Sequence, residues 1–404
     1  MANVRDYLKE KEKRQKKPSF EVGYKEKIRS HKLAIFYRAI LSALLAAAVI
    51  VFLVIQWQNR VFAESIVTHS APVTIVQGAT ARNLGGNILL YSKDGASCLD
   101  AKGNAVWNRT YEMQTPLAAI CNQVIAIGDY NGRTIYVMDK NGEKGTVNTN
   151  LPIRDFCVSA SGVVAAVLDD GAVTRIYIYN GNENTDTPIV QGRATMDKSG
   201  YPVSLSLSPN GKLMAVSYLY VDSGNMKSSV AFYNFGEVGQ NETDNFVGGY
   251  DYLDTIIPYI QFMNNETAFA VSDDRIVFFS GGERPTNIAT SFLEGEVQSI
   301  FYNESYVGLT FINQSGESAY RLDIYNTDGN KERSLLIDID YTDIVFGRNQ
   351  IIVYNDSECR VWTNRGVEKF TGNFGKSTSL IIPGSSAYKY TAVTSDSVDT
   401  IELH

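Results

Sequence analysis

Hydrophobic positions fall into two regimes along this chain. The run AILSALLAAAVIVFLVI, residues 39–55, carries no charge, and extending it back to Leu33 adds only Arg38. About 23 such residues at 1.5 Å rise cross a hydrocarbon core of roughly 30 Å, with the Arg38 stem reaching the interface. The pattern predicts one membrane-spanning helix over residues 33–57, with Trp57 at the outer interface. From residue 65 onward, short runs rich in Val, Ile, Tyr, Phe and Thr are broken by Gly, Asn and Asp. Period-two alternation, as in RIYIYN (175–180) and RIVFFS (275–280), is that of half-buried strands. No long amphipathic helix interrupts it, so the second regime is all-β.

The strands repeat. A strand ending in a glycine turn recurs at Gly103, Gly142, Gly181, Gly236, Gly282, Gly329 and Gly366, at intervals of 39, 39, 55, 46, 47 and 37 residues. Periods near 40 to 50 with four strands each are those of propeller blades. The first unit reads ATARNLG, NILLYS, ASCLDA and AVWNRTY between Ala79 and Tyr111, which supplies strands a to d from the inside outward. Similar units follow to Phe374, after which 379–384, 389–394 and 398–403 offer strands a, b and c only. The missing outer strand is available at residues 65–76, and pairing the two ends would remove an exposed sheet edge. The expected fold is an eight-bladed β-propeller of four-stranded antiparallel blades, with seven blades as the alternative if the tail completes an earlier one. Strand d begins on the face of the a–b and c–d turns, so that face is expected towards the membrane. The b–c and d–a loops would look outward. The segment DAKGNAVW, where strand, glycine turn and Trp follow one another, resembles blades of quinoprotein-like propellers.

Charge adds a direction. Residues 1–60 sum to +8 and residues 61–404 to −15. The 38 residues up to Arg38 hold 12 Lys and Arg, whereas the 20 after Ile55 hold only Arg60, and the positive-inside rule then places the amino terminus in the cytoplasm. The layout is a basic cytoplasmic arm (1–32), the span (33–57), a linker (58–64) and an extracytoplasmic propeller (65–404). A signal peptide cleaved after Ala63 is the alternative, although the basic region is long for one. The arm mixes Glu with Lys, which weakens attraction to anionic lipid and leaves it a solvated orientation signal. No aromatic platform accompanies it for nucleic acid.

Candidate chemistry lies in the lengthened outward connections. The b–c hairpin at 218–229 and a d–a connection at 246–259 bring Tyr218, Tyr220, Asp222, Tyr250, Asp251, Tyr252, Asp254 and Tyr259. Connections 192–202 and 313–318 adjoin them. Aromatic rings with polar tips on a rigid scaffold suit binding of a protein or a wall polymer; packing between blades is the competing use of the same rings. Catalysis is less well served. The three histidines are His31, His69 and His404, which leaves no Ser-His-Asp, Cys-His or histidine-metal arrangement across the blades. Carboxylate pairs Asp169/Asp170 and Asp273/Asp274 could support glycan hydrolysis but sit in hairpin turns that favour Asp for local bonding. The oxygen-rich turns at 129–134 and 139–145 lack a complete calcium loop. Cys98, Cys121, Cys157 and Cys359 read as small buried residues rather than disulfides. No cofactor or metal site is expected.

The basic arm, single span and quinoprotein-like propeller together resemble a family of uncharacterised membrane-anchored proteins of Gram-positive bacteria, known only as a domain of unknown function. The resemblance implies a cell-surface location and no known activity. The expected role is a binding or scaffold module using its outward face, with a carboxylate-dependent glycan hydrolase or a structural subunit of a membrane complex as alternatives.

Overall fold

The computed structural model describes residues 4–15, 23–76, 78–171, 173–194, 200–313, 316 and 318–404. The chain divides into two compact units, residues 1–60 and 61–404. In the first, helices cover Val4–Gln15 and Tyr24–Gln58. The second helix starts nine residues earlier than the apolar run, because YKEKIRSHK (24–32) is built largely of residues that sustain a helix in water. Its portion Glu26–Gln56 is apolar and long enough to cross a membrane. Large side chains lie exposed along it, Leu41 by 69% and Phe52 by 59%, so its apolar surface is not buried in protein. Residues 16–22 of the basic arm and the Trp57 side chain lie outside the described residues.

Among the described residues, the second unit contains 32 strands in eight antiparallel sheets of four. Blades 1 to 7 occupy residues 80–110, 116–148, 153–194, 201–252, 259–292, 297–337 and 343–372, each with its strands in chain order. First strands of neighbouring blades contact one another and so surround the axis. Blade 8 is composite. Its strands a, b and c are Thr378–Pro383, Lys389–Thr394 and Ser397–Leu403, and its outer strand is Ser65–Pro72 from the other end of the unit. The tail therefore forms a blade of its own, which makes eight rather than seven.

The junction is clasped beyond its ladder. Ser65 pairs with Leu403 and Pro72 with Ser397, with a bulge between Val67 and His69. Ahead of the strand, Phe62 N donates to Lys369 O at 2.8 Å and Ala63 N to His404 O at 3.0 Å. The Phe62 ring lies 4.6 Å from that of Tyr388. Ser70 donates its hydroxyl to the buried carboxylate of Asp399 at 2.5 Å.

Each blade buries two faces against its neighbours, so the core is a ring of interfaces. Strand b, flanked on both edges and covered on both faces, is apolar without alternation, as in Thr267–Val271 and Gln350–Tyr354. Between blades 4 and 5, Phe232 meets Phe279 at 5.0 Å and Phe262 at 6.3 Å, both edge-on. The recurring glycine ends strand c. At Gly329 φ is +78°, and a Cβ would lie 2.5 Å from the Ala289 side chain of the preceding blade. Only glycine both makes that turn and admits the neighbour.

Phe232→Ala should cost about 3–5 kcal/mol, as for other large buried aromatics. Asp399→Ala, which deprives Ser70 of its acceptor, should cost about 1–3 kcal/mol. Urea unfolding should show lower midpoints with unchanged slope; a wild-type midpoint for Asp399→Ala would mean the clasp does not hold the ring.

Candidate functional site

Blade 4 carries the longest strands of the propeller. Strand b (Leu213–Asp222) and strand c (Asn225–Asn234) have ten residues each. Ser223 and Gly224 between them both have positive φ, 53° and 83°, the backbone of a two-residue turn whose twist matches its strands. After strand c the chain makes a short helix, Glu237–Gln240, and a turn, Thr243–Asn245. Asp244 and Asn245 take left-handed φ of 55° and 59°, a conformation that short polar side chains tolerate. They turn the chain into strand d, Phe246–Tyr252.

A cleft of about 850 Å³ opens between strands c (Val173–Asn180) and d (Val190–Ala194) of blade 3 and strands b, c and d of blade 4. Its origin is geometric. Neighbouring blades diverge away from the axis, so the outer part of each interface closes only around bulky side chains. Between blades 4 and 5 that material is Phe232, Tyr250 and Phe279, in mutual ring contact. On the opposite face of blade 4 the wall is made in part of Ser229 and Ala231, and it faces Gly192 of blade 3. Deeper in, Ile176, Ile178 and Met214 join Tyr218, which is buried. The hydroxyls of Tyr218 and Tyr233 are 3.0 Å apart. Burial pushes both phenols above their ordinary range, so both stay neutral. The volume lies within the roughly 300–1,000 Å³ of small-ligand sites.

The eight residues singled out from the sequence separate. Tyr218, Tyr220 and Asp251 line the cleft. Asp222 forms an ion pair with Lys227 at 2.5 Å near the hairpin tip. Tyr250 faces blade 5, where its hydroxyl donates to Pro285 O at 3.3 Å and accepts from Asn287 N at 3.1 Å. Tyr252 is buried in the same interface. Asp254 pairs with Arg275 at 3.0 Å. Tyr259 belongs to strand a of blade 5, its ring 5.9 Å from Phe269.

The expected loop 246–259 is thus a strand to Tyr252, a connection over 253–258 and a new strand from Tyr259. Likewise 218–229 is ladder on both sides of a two-residue turn. Alternation then splits neighbours: Tyr250 and Tyr252 point one way and Asp251 the other. Residues 195–199 of connection 192–202, and 314, 315 and 317 of connection 313–318, lie outside the described residues. Sequence reasoning missed Tyr233, Phe235, Asp244 and Phe246, which also line the cleft. Period two along strand c, Ser229, Ala231, Tyr233, was the available signal.

The connection after strand d is held firmly. Ser217 donates its hydroxyl to Ile257 O at 2.5 Å, and Ile257 N donates to Ser228 Oγ at 3.0 Å. Thr255 donates to Asp273 at 2.7 Å, and Arg275 donates to Asp274 while its guanidinium lies 5.0 Å from the Phe292 ring centre. The Arg275 hydrogen bond holds the Asp274 carboxyl down at about 2. Asp169 is likewise lowered, by Arg154, and Asp170 pairs with Arg175 at 2.9 Å. Such lowered carboxyls are poor general acids near neutral pH. Burial instead raises Asp155 and Asp343, on the inner strands of blades 3 and 7. The central channel mouth, about 880 Å³, mixes Arg82 and Arg348 with Glu304 and Asp343. In the oxygen-rich turns, Asp129 accepts from Gln114 N and Thr115 N, and Asp139 from Asn141 N and Gly142 N. All four cysteines are free, Cys98 and Cys359 buried.

A model for a family of unknown function (DUF5711) matches residues 58–403. The chain belongs to that family. Among solved structures the DUF5711 chain is similar to BamB from Moraxella catarrhalis, at 12% identity over 84% of this chain and 100% of that one, with a TM-score of 0.50. It is also similar to the computationally designed Ika8 protein (11% identity, 85% and 100% covered, TM-score 0.49) and to apo AztD from Citrobacter koseri (10%, 74% and 87%, 0.49). At 12% identity the likeness to BamB speaks to the propeller fold alone. No curated protein matches the chain.

In this DUF5711 propeller, Asp274→Asn should lower the thermal midpoint at pH 7. The carboxyl titrates at about 2 folded and about 3.9 unfolded, so its stabilisation is present above the unfolded value and lost as pH falls through the folded one. The gap between variant and wild type should hold from pH 7 to about 5 and shrink below 4. A gap that persists undiminished at low pH would assign the effect to something other than the carboxylate charge.

Proposed function

We propose that this chain is a membrane-anchored binding or scaffold module of a Gram-positive cell surface. Its helix spans the cytoplasmic membrane with the amino terminus inside, and its propeller seats a protein or wall polymer in the cleft between blades 3 and 4. The observation that carries this reading is the cleft itself: aromatic and apolar walls on a closed ring, with exposed carboxylates at its rim. Tyr218, Tyr220 and Asp251 are its binding residues; Asp222, Tyr250, Tyr252 and Asp254 brace the blade 4 hairpin and its junction with blade 5, and Tyr259 packs between blades 5 and 6. The anchoring reading is supported by the apolar helix and by the excess of Lys and Arg before it.

Crosslinking of the full chain in its own membranes, followed by mass spectrometry, tests the module. A crosslinked species should be lost in a Tyr220→Ala, Asp251→Asn variant and kept in Asp222→Ala, whose carboxylate is on the hairpin tip. Loss in neither variant would move the interaction off the cleft. For topology, protease added to intact wall-stripped cells should digest the propeller and spare an amino-terminal tag; digestion of the tag would reverse the orientation.

A further inference from the structure

Resting on the reading of the cleft as a ligand seat, we infer that its occupant is a protein segment presenting a Lys or Arg side chain among apolar neighbours. Charge is the first argument. Among the described residues that line the cleft two are acidic, Asp244 and Asp251, and none is basic. Both are exposed, and neither carboxylate is in an ion pair or a side-chain hydrogen bond among the described residues. Carboxylates nearby are treated differently: Asp169, Asp170, Asp222, Asp254 and Asp274 each pair with an Arg or Lys of this chain. Among the described residues no cation of this chain meets the cleft's two acids, and the −15 of residues 61–404 draws one in from elsewhere.

Shape and wall chemistry narrow the class. Asp251 stands opposite Ser229 and Phe246 opposite Tyr233 on strand c, so strand d carries the cleft from Asp251 to Phe246, beyond which lies Asp244. A bulge at Val247 makes this stretch match the four strand-c steps from Ser229 to Tyr233, which at about 3.4 Å make roughly 14 Å, the length of about four extended residues. The lining also holds the rings of Tyr218, Tyr220, Tyr233, Phe235 and Phe246. Ring faces attract a cation, and their area, with Ile176 and Met214, rewards apolar side chains. Tyr218 and Tyr233 share one hydrogen bond between two hydroxyls, so one hydroxyl proton remains for an acceptor such as a peptide carbonyl. A peptide supplies the cation, the apolar groups and the carbonyl together. A neutral glycan supplies hydroxyl donors and acceptors but no cation.

The test is selection of a displayed random heptapeptide library on the full chain in detergent micelles, counter-selected on Ser229→Phe, whose ring fills the cleft from its wall. Circular dichroism melts check that each variant folds; if Ser229→Phe does not, Tyr220→Ala replaces it. Cleft-dependent peptides should carry Lys or Arg beside Leu, Ile or Phe. Their Kd should rise at least tenfold when the Lys is acetylated or when the protein carries Asp244→Asn with Asp251→Asn, and should rise with salt. Cleft-dependent peptides without basic enrichment would overturn the cation while leaving the seat in place. A library that yields no cleft-dependent peptide would overturn the protein-segment inference; the membrane crosslink lost in Tyr220→Ala, Asp251→Asn would then still keep the cleft as a seat for another class of ligand, and a crosslink that persists would remove the seat as well.

Discussion

Pairing of the first propeller strand with the last is the constraint on which the rest of the molecule depends. A four-stranded blade with two apolar faces is stable only between two neighbours, and a row of such blades would leave one uncovered face at each end. Closing the row into a ring removes both ends at once, and Ser65–Pro72 on Ser397–Leu403 is where this chain closes. The entropy of joining two such distant segments grows only logarithmically with their separation. It is met by a seven-pair ladder, the contacts of Phe62 and the Ser70–Asp399 hydrogen bond. Because residues 62–64 are themselves bonded to Lys369 and His404, the polypeptide arrives at the ring already fixed in place.

A closed ring also explains why a cleft can persist. In an open stack, an underfilled interface would collapse as blades slide together. Here each blade is held by the seven others, so the shortage of bulk at Gly192, Ser229 and Ala231 stays open. The cost of ordering the walls is met at folding, so a ligand binds surfaces that are already arranged. Blade 4 shows the two outcomes on its two faces. Towards blade 5, Phe232 and Tyr250 fill the divergence with rings, and Tyr250 spends its hydroxyl on Pro285 and Asn287. Towards blade 3, Asp251 and Asp244 remain unpaired among the described residues.

Much of the fold was legible because its signals are periodic. Glycine turns near every 40 to 50 residues, alternation within RIYIYN and RIVFFS, and three unpaired strands at the tail were enough for eight four-stranded blades. Helix boundaries were less so: Lys, Glu and Arg at 24–32 lengthen the helix without changing its apolar part, and hydropathy does not register them. The candidate site was legible as a neighbourhood and not as a surface. Clusters of Tyr and Asp around 218–229 and 246–259 marked blade 4, yet reading those stretches as loops removed the rule that sorts their side chains. Once Phe246–Tyr252 is a strand, residues 250, 251 and 252 cannot share a face.

That sorting rule has a wider consequence for reading such repeats. Aromatic residues in propeller strands serve the blade before or the blade after according to alternation along the strand, reset where a bulge intervenes as between Phe246 and Tyr250, so Tyr218 and Tyr250 can be close in one blade and belong to different interfaces. Parity by itself does not say which interface is open. The additional information is size: where one blade's face offers Ser229 and Ala231 and its neighbour offers Gly192, no nearby ring can close the gap, and Tyr218, Tyr233 and Phe246 become walls instead of filler. Small residues in register across two blades are therefore a sharper mark of a binding cleft than the aromatic residues that surround it.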